Sequence, residues 1–368
     1  MTRPRETAPP WLIPAMVFAA ATTALALYAF LHFGHRYDFM IFFQDGRAWN
    51  QGEPLYKYEN MNPPTLTIAI FAPLARLGFN LARAVWLAVG GLGILLSMRA
   101  IIREAGLSHH RAIAMIVLFL ATHGTYVAIT QGQVTFWLLW PVTRAWIAVR
   151  HGRHAIGGLW LGPVIAIKPT IALTALLLPW PVWVVAGALS AAITGLGILA
   201  AGWGPWAQWL EAGADVDWIT QHLNASLWSL AARWEIGQAL HVRLRDLSMP
   251  VILLVVAVGL LLGWRARRTK DIDRRFTLAL LWHALMSPLG WIYYLPLAVG
   301  PAAATWRSNR WAIAAFLLSF VPLGFVSVHV AWSAPIVRTM GSIYPAAILC
   351  AWVAWSRSEA NARLEGAS

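Results

Sequence analysis

Apolar runs close to twenty residues long recur through this chain, and that pattern leaves few folds open. They fall at 11–33, 82–102, 112–130, 134–149, 156–180, 182–202, 249–264, 276–306, 309–329 and 341–356. A helix of about 20 apolar residues matches the hydrocarbon thickness of a bilayer, where every backbone polar group must be satisfied within the protein. The expected fold is therefore all-α, a polytopic integral membrane protein. Charged residues make up 12% of the chain, against about 25% in a soluble domain. No soluble-looking block exceeds about 50 residues. Residues 1–368 thus read as a single membrane domain with two larger loops, 34–81 and 203–248. Segment 11–33 follows Arg3 and Arg5, as a signal peptide would, but it is too long and more spans follow, so it reads as an uncleaved first helix.

The net charge of +13 does not point to nucleic acid, because the basic residues sit in short clusters between apolar runs, as in cytoplasmic loops. The 23 Trp suit the interfacial belts, where an apolar ring carrying one N–H is at home. The single cysteine, Cys350, lies in an apolar run and excludes an intramolecular disulfide.

Two segments carry a proline-centred break: Lys168-Pro169 in 156–180 and Ser287-Pro288 in 276–306. Each reads as one kinked helix or as two half-length helices. The basic run "RARRTKDIDRR" (265–275) decides between them. Single spans put it outside the cell, and broken pairs put it inside, where Lys and Arg collect. The expectation is about 12 spans (10–12), with both termini inside. A half-span of about 12 residues reaches only about 18 Å of a core about 30 Å thick, so such pieces need protein or a water-filled cavity at their ends. The short run 63–77 reads as an interfacial or re-entrant helix.

This topology gathers the polar motifs on the outer side. "RYDFMIFFQDGRAWNQGEPLYKYENMNPP" (36–64) holds Asp38, Asp45, Glu53 and Glu59 in a chain poor in carboxylates. Asp38, at the membrane edge, suits a general base; paired with Arg36, it is an interfacial acid instead. Asp45 suits an acceptor-binding acid or a solvated helix face. Lys168 lies within an apolar segment, where a charge is costly and marks a site by default; its ammonium suits an anionic group such as a phosphate. The alternative is a snorkelling side chain. No phosphate-cradling glycine loop, zinc-spaced Cys/His set or nucleophile elbow is present, and no metal or cofactor is expected. "NAS" (224–226) fits a glycosylation sequon, a weak signal alone.

"DFMIFFQDGRAWNQGEPLY" followed by "NPPTLTIAIFAPLARL" resembles the first outer loop of the glycosyltransferase 87 family. "QGQVTFWLL", "GLWLGPVIAIKPTIAL", "NASLWSLAARW" and "LMSPLGWIYYLPL" resemble the family's later motifs in the same order. The resemblance implies a GT-C membrane enzyme, akin to the actinobacterial polyprenol-phosphate-mannose-dependent mannosyltransferases. It also implies Asp38 as the catalytic aspartate. Implied substrate-binding positions are Asp45, Gln131, Gln133, Lys168, Asn224, Ser226, Arg233, Trp291 and Tyr293. Two positions depart from the pattern. Asn62-Pro63-Pro64 stands where many relatives have Tyr-Pro-Pro, and Tyr293 stands where many have His, a better base near neutral pH.

The implied activity is inverting transfer of a hexose, mannose in the best-known relatives. The implied donor is a polyprenyl-phosphate sugar, and the acceptor is a lipid-linked or cell-envelope glycan. The implied location is the bacterial plasma membrane, with the site facing the periplasm or exterior. Two rival readings stand beside it. A transporter or lipid flippase would also use broken helices, but would show repeat symmetry, which the sequence lacks. A noncatalytic scaffold gives no reason for Lys168.

Overall fold

The structure, a computed structural model, describes residues 12–33, 38–56, 62–214, 216–237, 241–306, 309–323 and 333–365. Arg36, Glu59 and Asp215 lie outside the described residues. Helices dominate; among the described residues β-structure is limited to two isolated bridges, Trp218–Val242 and Asn224–Trp291. Among the described residues, five helices are long and apolar enough to cross a membrane: Leu12–His32, Phe79–Glu104, Trp180–Ala201, Met249–Arg268 and Pro335–Ser356. A sixth candidate is the pair His109–Ala121 and His123–Thr130, bent by 57°. The bend lies at Thr122, which is extended; its hydroxyl caps the second helix at Thr125 N and bonds back to Phe119 O at 3.0 Å.

The remaining legs are short. Residues Thr135–Arg150, His154–Ile167 and Ile272–Met286 form helices of 16, 14 and 15 residues. The two proline breaks lie where the sequence puts them, for a local reason. A residue before proline is pushed out of the helical region, and the proline nitrogen has no hydrogen to continue the ladder. Lys168 accordingly sits at φ −137°, ψ 83°, and Ser287 at φ −66°, ψ 129°. Beyond each break the chain resumes as a 3-10 turn, Pro169–Ile171 and Ile292–Ala298, before short helices Ala172–Leu177 and Val299–Ala304.

Polar contacts divide the bundle into two opposite ends. At one end, Arg150 pairs with Glu104 at 3.5 Å and with Asp273 at 3.4 Å, while His151 pairs with Glu104 at 2.7 Å. Trp146 Nε1 donates to Asp273 at 2.8 Å. Helices 135–150 and 272–286 both run from this cluster to the other end, where Gln133 and Ser287 lie; at 1.5 Å per residue that separation is about 22 Å. Leu177, past the Lys168 break, accepts from Arg275 near the charged end, and Val299–Ala304 packs against 79–104 and 135–150. Each broken segment therefore doubles back. Asp273 shares an end with Glu104 and Arg150, as the broken-pair reading requires; single spans would put it at the opposite end.

Candidate active site

The loop helix Asp38–Asn50 owes its seat to an aromatic nest. Phe39, Phe42, Phe43 and Gly46 follow the i, i+3, i+4, i+7 pattern and are buried. The Phe39 ring lies 5.6 Å from Phe30, 6.0 Å from Phe71, 5.7 Å from Phe79 and 5.9 Å from Trp86. Phe39 N donates to Gln131 O at 3.0 Å. With Phe39 fixed, the preceding residue, Asp38, is held at the helix start. Asp45, two helical turns on, lies on the same face and is buried. It lies within electrostatic reach of Tyr56, whose hydroxyl donates to Asn62 O at 2.8 Å.

The motif "QGQ" closes the preceding helix and delivers Gln133. Gly132 sits at φ 65°, Gly132 N bonds Ile129 O at 3.0 Å, and Gln133 N reaches back to Ala128 O at 2.9 Å. This is the glycine-centred helix stop that needs a left-handed residue. Gly132 also admits no side chain: a Cβ would fall 2.6 Å from both Phe30 Cε2 and Phe39 Cβ. Its carbonyl accepts from Trp86 Nε1 at 3.0 Å. The result aims Gln133 Nε2 at Asp38 Oδ2, to which it donates. Gly132→Ala is expected to cost about 1–3 kcal/mol through backbone strain. It would also displace Phe39 and hence Asp38, and a lowered melting temperature would reveal the strain.

Lys168 projects from its break toward the same place. Its ammonium donates to Asn62 Oδ1 at 2.9 Å and lies 5.6 Å from the centroid of the Tyr294 ring. Burial pushes the half-buried Asp38 carboxyl up to about 6, against the downward pull of the Lys168 charge and the Gln133 hydrogen bond. Lys168 also lies within electrostatic reach of buried His283, whose Nε2 is 3.1 Å from Thr170 Oγ1 and whose ring is 5.5 Å from Tyr294. Tyr293 is buried, within electrostatic reach of Asp38, stacks on Trp291 at 5.9 Å, and accepts at its carbonyl from Thr135 Oγ1 at 3.0 Å.

Asp38, Gln133, Lys168 and Tyr293 are thus drawn together. Asn62, Thr170, His283 and Tyr294 join them without having been singled out as site residues. Asn62 stood out only as a departure from the family pattern, and His283 carried the signal of a titratable group in an apolar run. Gln131 contributes its backbone carbonyl.

The remaining expected residues form a frame beside this group. Asn224 is fully buried, with Nδ2 donating to Ile219 O at 2.9 Å and Pro288 O at 2.7 Å, and Oδ1 accepting from Ser226 N at 3.1 Å. Ser226 Oγ caps the helix Leu227–Glu235 at Ser229 N. The "NAS" sequence is here a turn and a cap, with its amide nitrogen inaccessible. Ala225 N donates to Gly290 O at 2.7 Å and Ile292 N to Leu223 O at 3.0 Å, which ties this turn to "SPLGW" and seats Trp291. A Cβ on Gly290 would fall 1.8 Å from Ala284 O, so only glycine fits that crossing.

Arg233 is wholly buried and wrapped by backbone: its guanidinium donates to the carbonyls of Thr220, Gln221, Asn224 and Gly341. Four of its five N–H donors are thereby committed to backbone carbonyls. Arg233→Ala would leave buried acceptors unsatisfied, at about 1–3 kcal/mol each. The expected result is a clear loss of thermal stability, measurable by a melting curve.

The arrangement sets a carboxyl whose pKa burial raises to about 6 within electrostatic reach of the Lys168 ammonium, at one end of an apolar bundle. Comparison with curated proteins and with solved structures gives no match. The model of glycosyltransferase family 87 matches residues 60–289, a stretch that begins after Asp38 and takes in Asn62, Gln133, Lys168, Asn224, Arg233 and His283. The chain therefore belongs to glycosyltransferase family 87 and is a membrane glycosyltransferase.

Proposed function

We propose that this enzyme transfers a hexose, mannose in the first instance, from a polyprenyl-phosphate sugar to a hydroxyl of a lipid-linked or envelope glycan. The observation that carries this reading is the juxtaposition of Asp38, hydrogen-bonded by Gln133, with Lys168, hydrogen-bonded by Asn62. Asp38 takes the acceptor's proton as that oxygen attacks the anomeric carbon. The bond from that carbon to the phosphate oxygen breaks on the opposite face, and the electron pair leaves with the lipid phosphate. The leaving group is already anionic, so it calls for a cation rather than an acid, and Lys168 supplies one. The sugar is inverted. Asp45, two turns along the same face, serves acceptor hydroxyls.

The site end is the outer side in this reading, because the basic run 265–275 and Arg150 belong to the opposite end. Nucleotide sugars are cytoplasmic, so an outer site suits a donor carried on a lipid. Counting the doubled-back legs, the chain makes twelve passes, with both termini inside, in the plasma membrane of a bacterium. The test of activity is a glycolipid profile of cells with and without the protein, using labelled polyprenyl-phosphate sugars; identical profiles would exclude the reading. Sidedness has its own test. Cysteines introduced at exposed Glu53 and Glu211 are expected to react with an impermeant thiol reagent applied to intact cells, and one at exposed Arg268 is not. Labelling at Arg268 would reverse the orientation.

A further inference from the structure

A cavity of about 740 Å³, lined by none of Asp38, Gln133, Lys168, Tyr293 and Tyr294, lies between helix 109–121, the leg 292–304, helix 310–319 and the last helix. Its wall is apolar through much of its length, with Ala114, Leu118, Leu281, Val299, Ala302 and Ala351 among the lining residues. Three hydroxyls line it, and each is already committed to backbone: Thr122 to Phe119 O at 3.0 Å, Thr277 to Asp273 O at 2.9 Å, and Ser319 to Phe316 O at 2.8 Å. The interior therefore offers a ligand dispersion and little hydrogen bonding, which suits a hydrocarbon chain.

The two ends of the cavity differ. Its lining runs from Thr122, at the bend of the bent pair, down helix 109–121 to the turn Ala105–Leu107, next to Glu104 in the charged cluster. That is about 20 Å of helix, long enough for an acyl chain to lie along. At the charged end the lining includes His110 and exposed Arg111. Trp306 lies there too, 39% exposed, with its ring 5.1 Å from Phe316 and 5.6 Å from Trp355. A cation and an indole at the rim of an apolar cavity match a headgroup boundary.

We infer that this cavity is a lipid site: it takes one acyl chain of an anionic phospholipid from the leaflet at the charged end, with the headgroup phosphate at Arg111. The charge at the rim selects an anionic headgroup over a zwitterionic one. The site is distinct from that of a polyprenyl-phosphate donor, whose phosphate belongs with Lys168 at the opposite end of the bundle, and it does not depend on which sugar is transferred.

The test is native mass spectrometry of the purified full-length protein with added phosphatidylglycerol, phosphatidylcholine or a polyprenyl phosphate as probes. Wild-type protein is expected to hold phosphatidylglycerol about fivefold more tightly than phosphatidylcholine. Arg111→Glu should abolish that preference while leaving phosphatidylcholine unchanged, and Arg111→Gln should do the same if the charge reversal fails to fold. Filling the cavity with Ala114→Trp, or with Ala302→Phe if the first is not monodisperse, should remove tight retention of both phospholipids. Equal affinity for the two phospholipids in wild type would overturn the proposal. So would an undiminished preference in the Arg111 variants, unchanged binding in the filled ones, or displacement of phosphatidylglycerol by polyprenyl phosphate at equal concentration, which would give the cavity to the donor.

Discussion

Asp38→Asn is expected to slow sugar transfer by about 10²–10⁴-fold, the usual cost of a lost general base. The substitution keeps the size of the side chain and an oxygen for Gln133 Nε2 to donate to, but it removes the proton acceptor. The fold should survive, because Phe39 in its aromatic nest and the Phe39–Gln131 backbone bond hold the helix start independently of the carboxylate. Burial already disfavours the charged form of Asp38, so a neutral amide removes a desolvation cost. Wild-type and variant melting curves should therefore nearly coincide, while kcat falls. The comparison that separates this role from packing is Asp45→Asn. Asp45 interacts with Tyr56 in the loop, and its loss should act mainly on the apparent affinity for acceptor.

The second large effect is expected at Lys168. Lys168→Met should lower transfer by about 10²–10³-fold, the scale of losing one charge-stabilising group at a developing anion. Stability should be kept, since the methionine retains an apolar contact with the Tyr294 ring and no longer carries a charge into the bundle. A second consequence follows from the electrostatics. The Lys168 ammonium favours the ionised form of Asp38. Removing it should raise the Asp38 pKa above about 6 and move the acid limb of the pH–rate profile toward higher pH. A cation that only held the donor phosphate from afar would leave that limb in place. Asn62→Ala, which frees the ammonium without deleting it, should reproduce a weaker version of the rate loss.

Much of this was legible in the sequence because it rests on local physics. Apolar length gives the helices, pre-proline sterics give the breaks at Lys168 and Ser287, and the cost of a charge in an apolar run singles out Lys168. What stayed hidden depends on contacts between distant segments. Arg233 reads as a substrate-binding position, yet its guanidinium is held by carbonyls that include Gly341, more than 100 residues away. Asn224 and Ser226 look like binding residues in a motif; only the pairing with Gly290 and Trp291 shows a turn and a cap. Asn62 stands out in the sequence only as a departure from the family pattern and His283 only as a titratable group in an apolar run; their place beside Lys168 comes from the return of the chain at its two breaks. The number of crossings is hard to read for the same reason: several legs are shorter than a membrane is thick, and among the described residues five helices, or six with the bent pair, meet the length and apolarity of a full span.

In the proposed mechanism Asp38, in its ionised form, accepts the proton during transfer. The most direct measurement is the single-turnover rate from a labelled polyprenyl-phosphate sugar to acceptor lipid in vesicles, between about pH 5 and about pH 8. A base must be unprotonated to act, so a pKa near 6 predicts a rate that falls about tenfold per pH unit below about 6 and levels off above it. This limb is expected in wild type, with its displacement upward in Lys168→Met and a low rate without the limb in Asp38→Asn. A wild-type profile flat through that range, or an Asp38→Asn enzyme with near-normal rate and the limb intact, would contradict it.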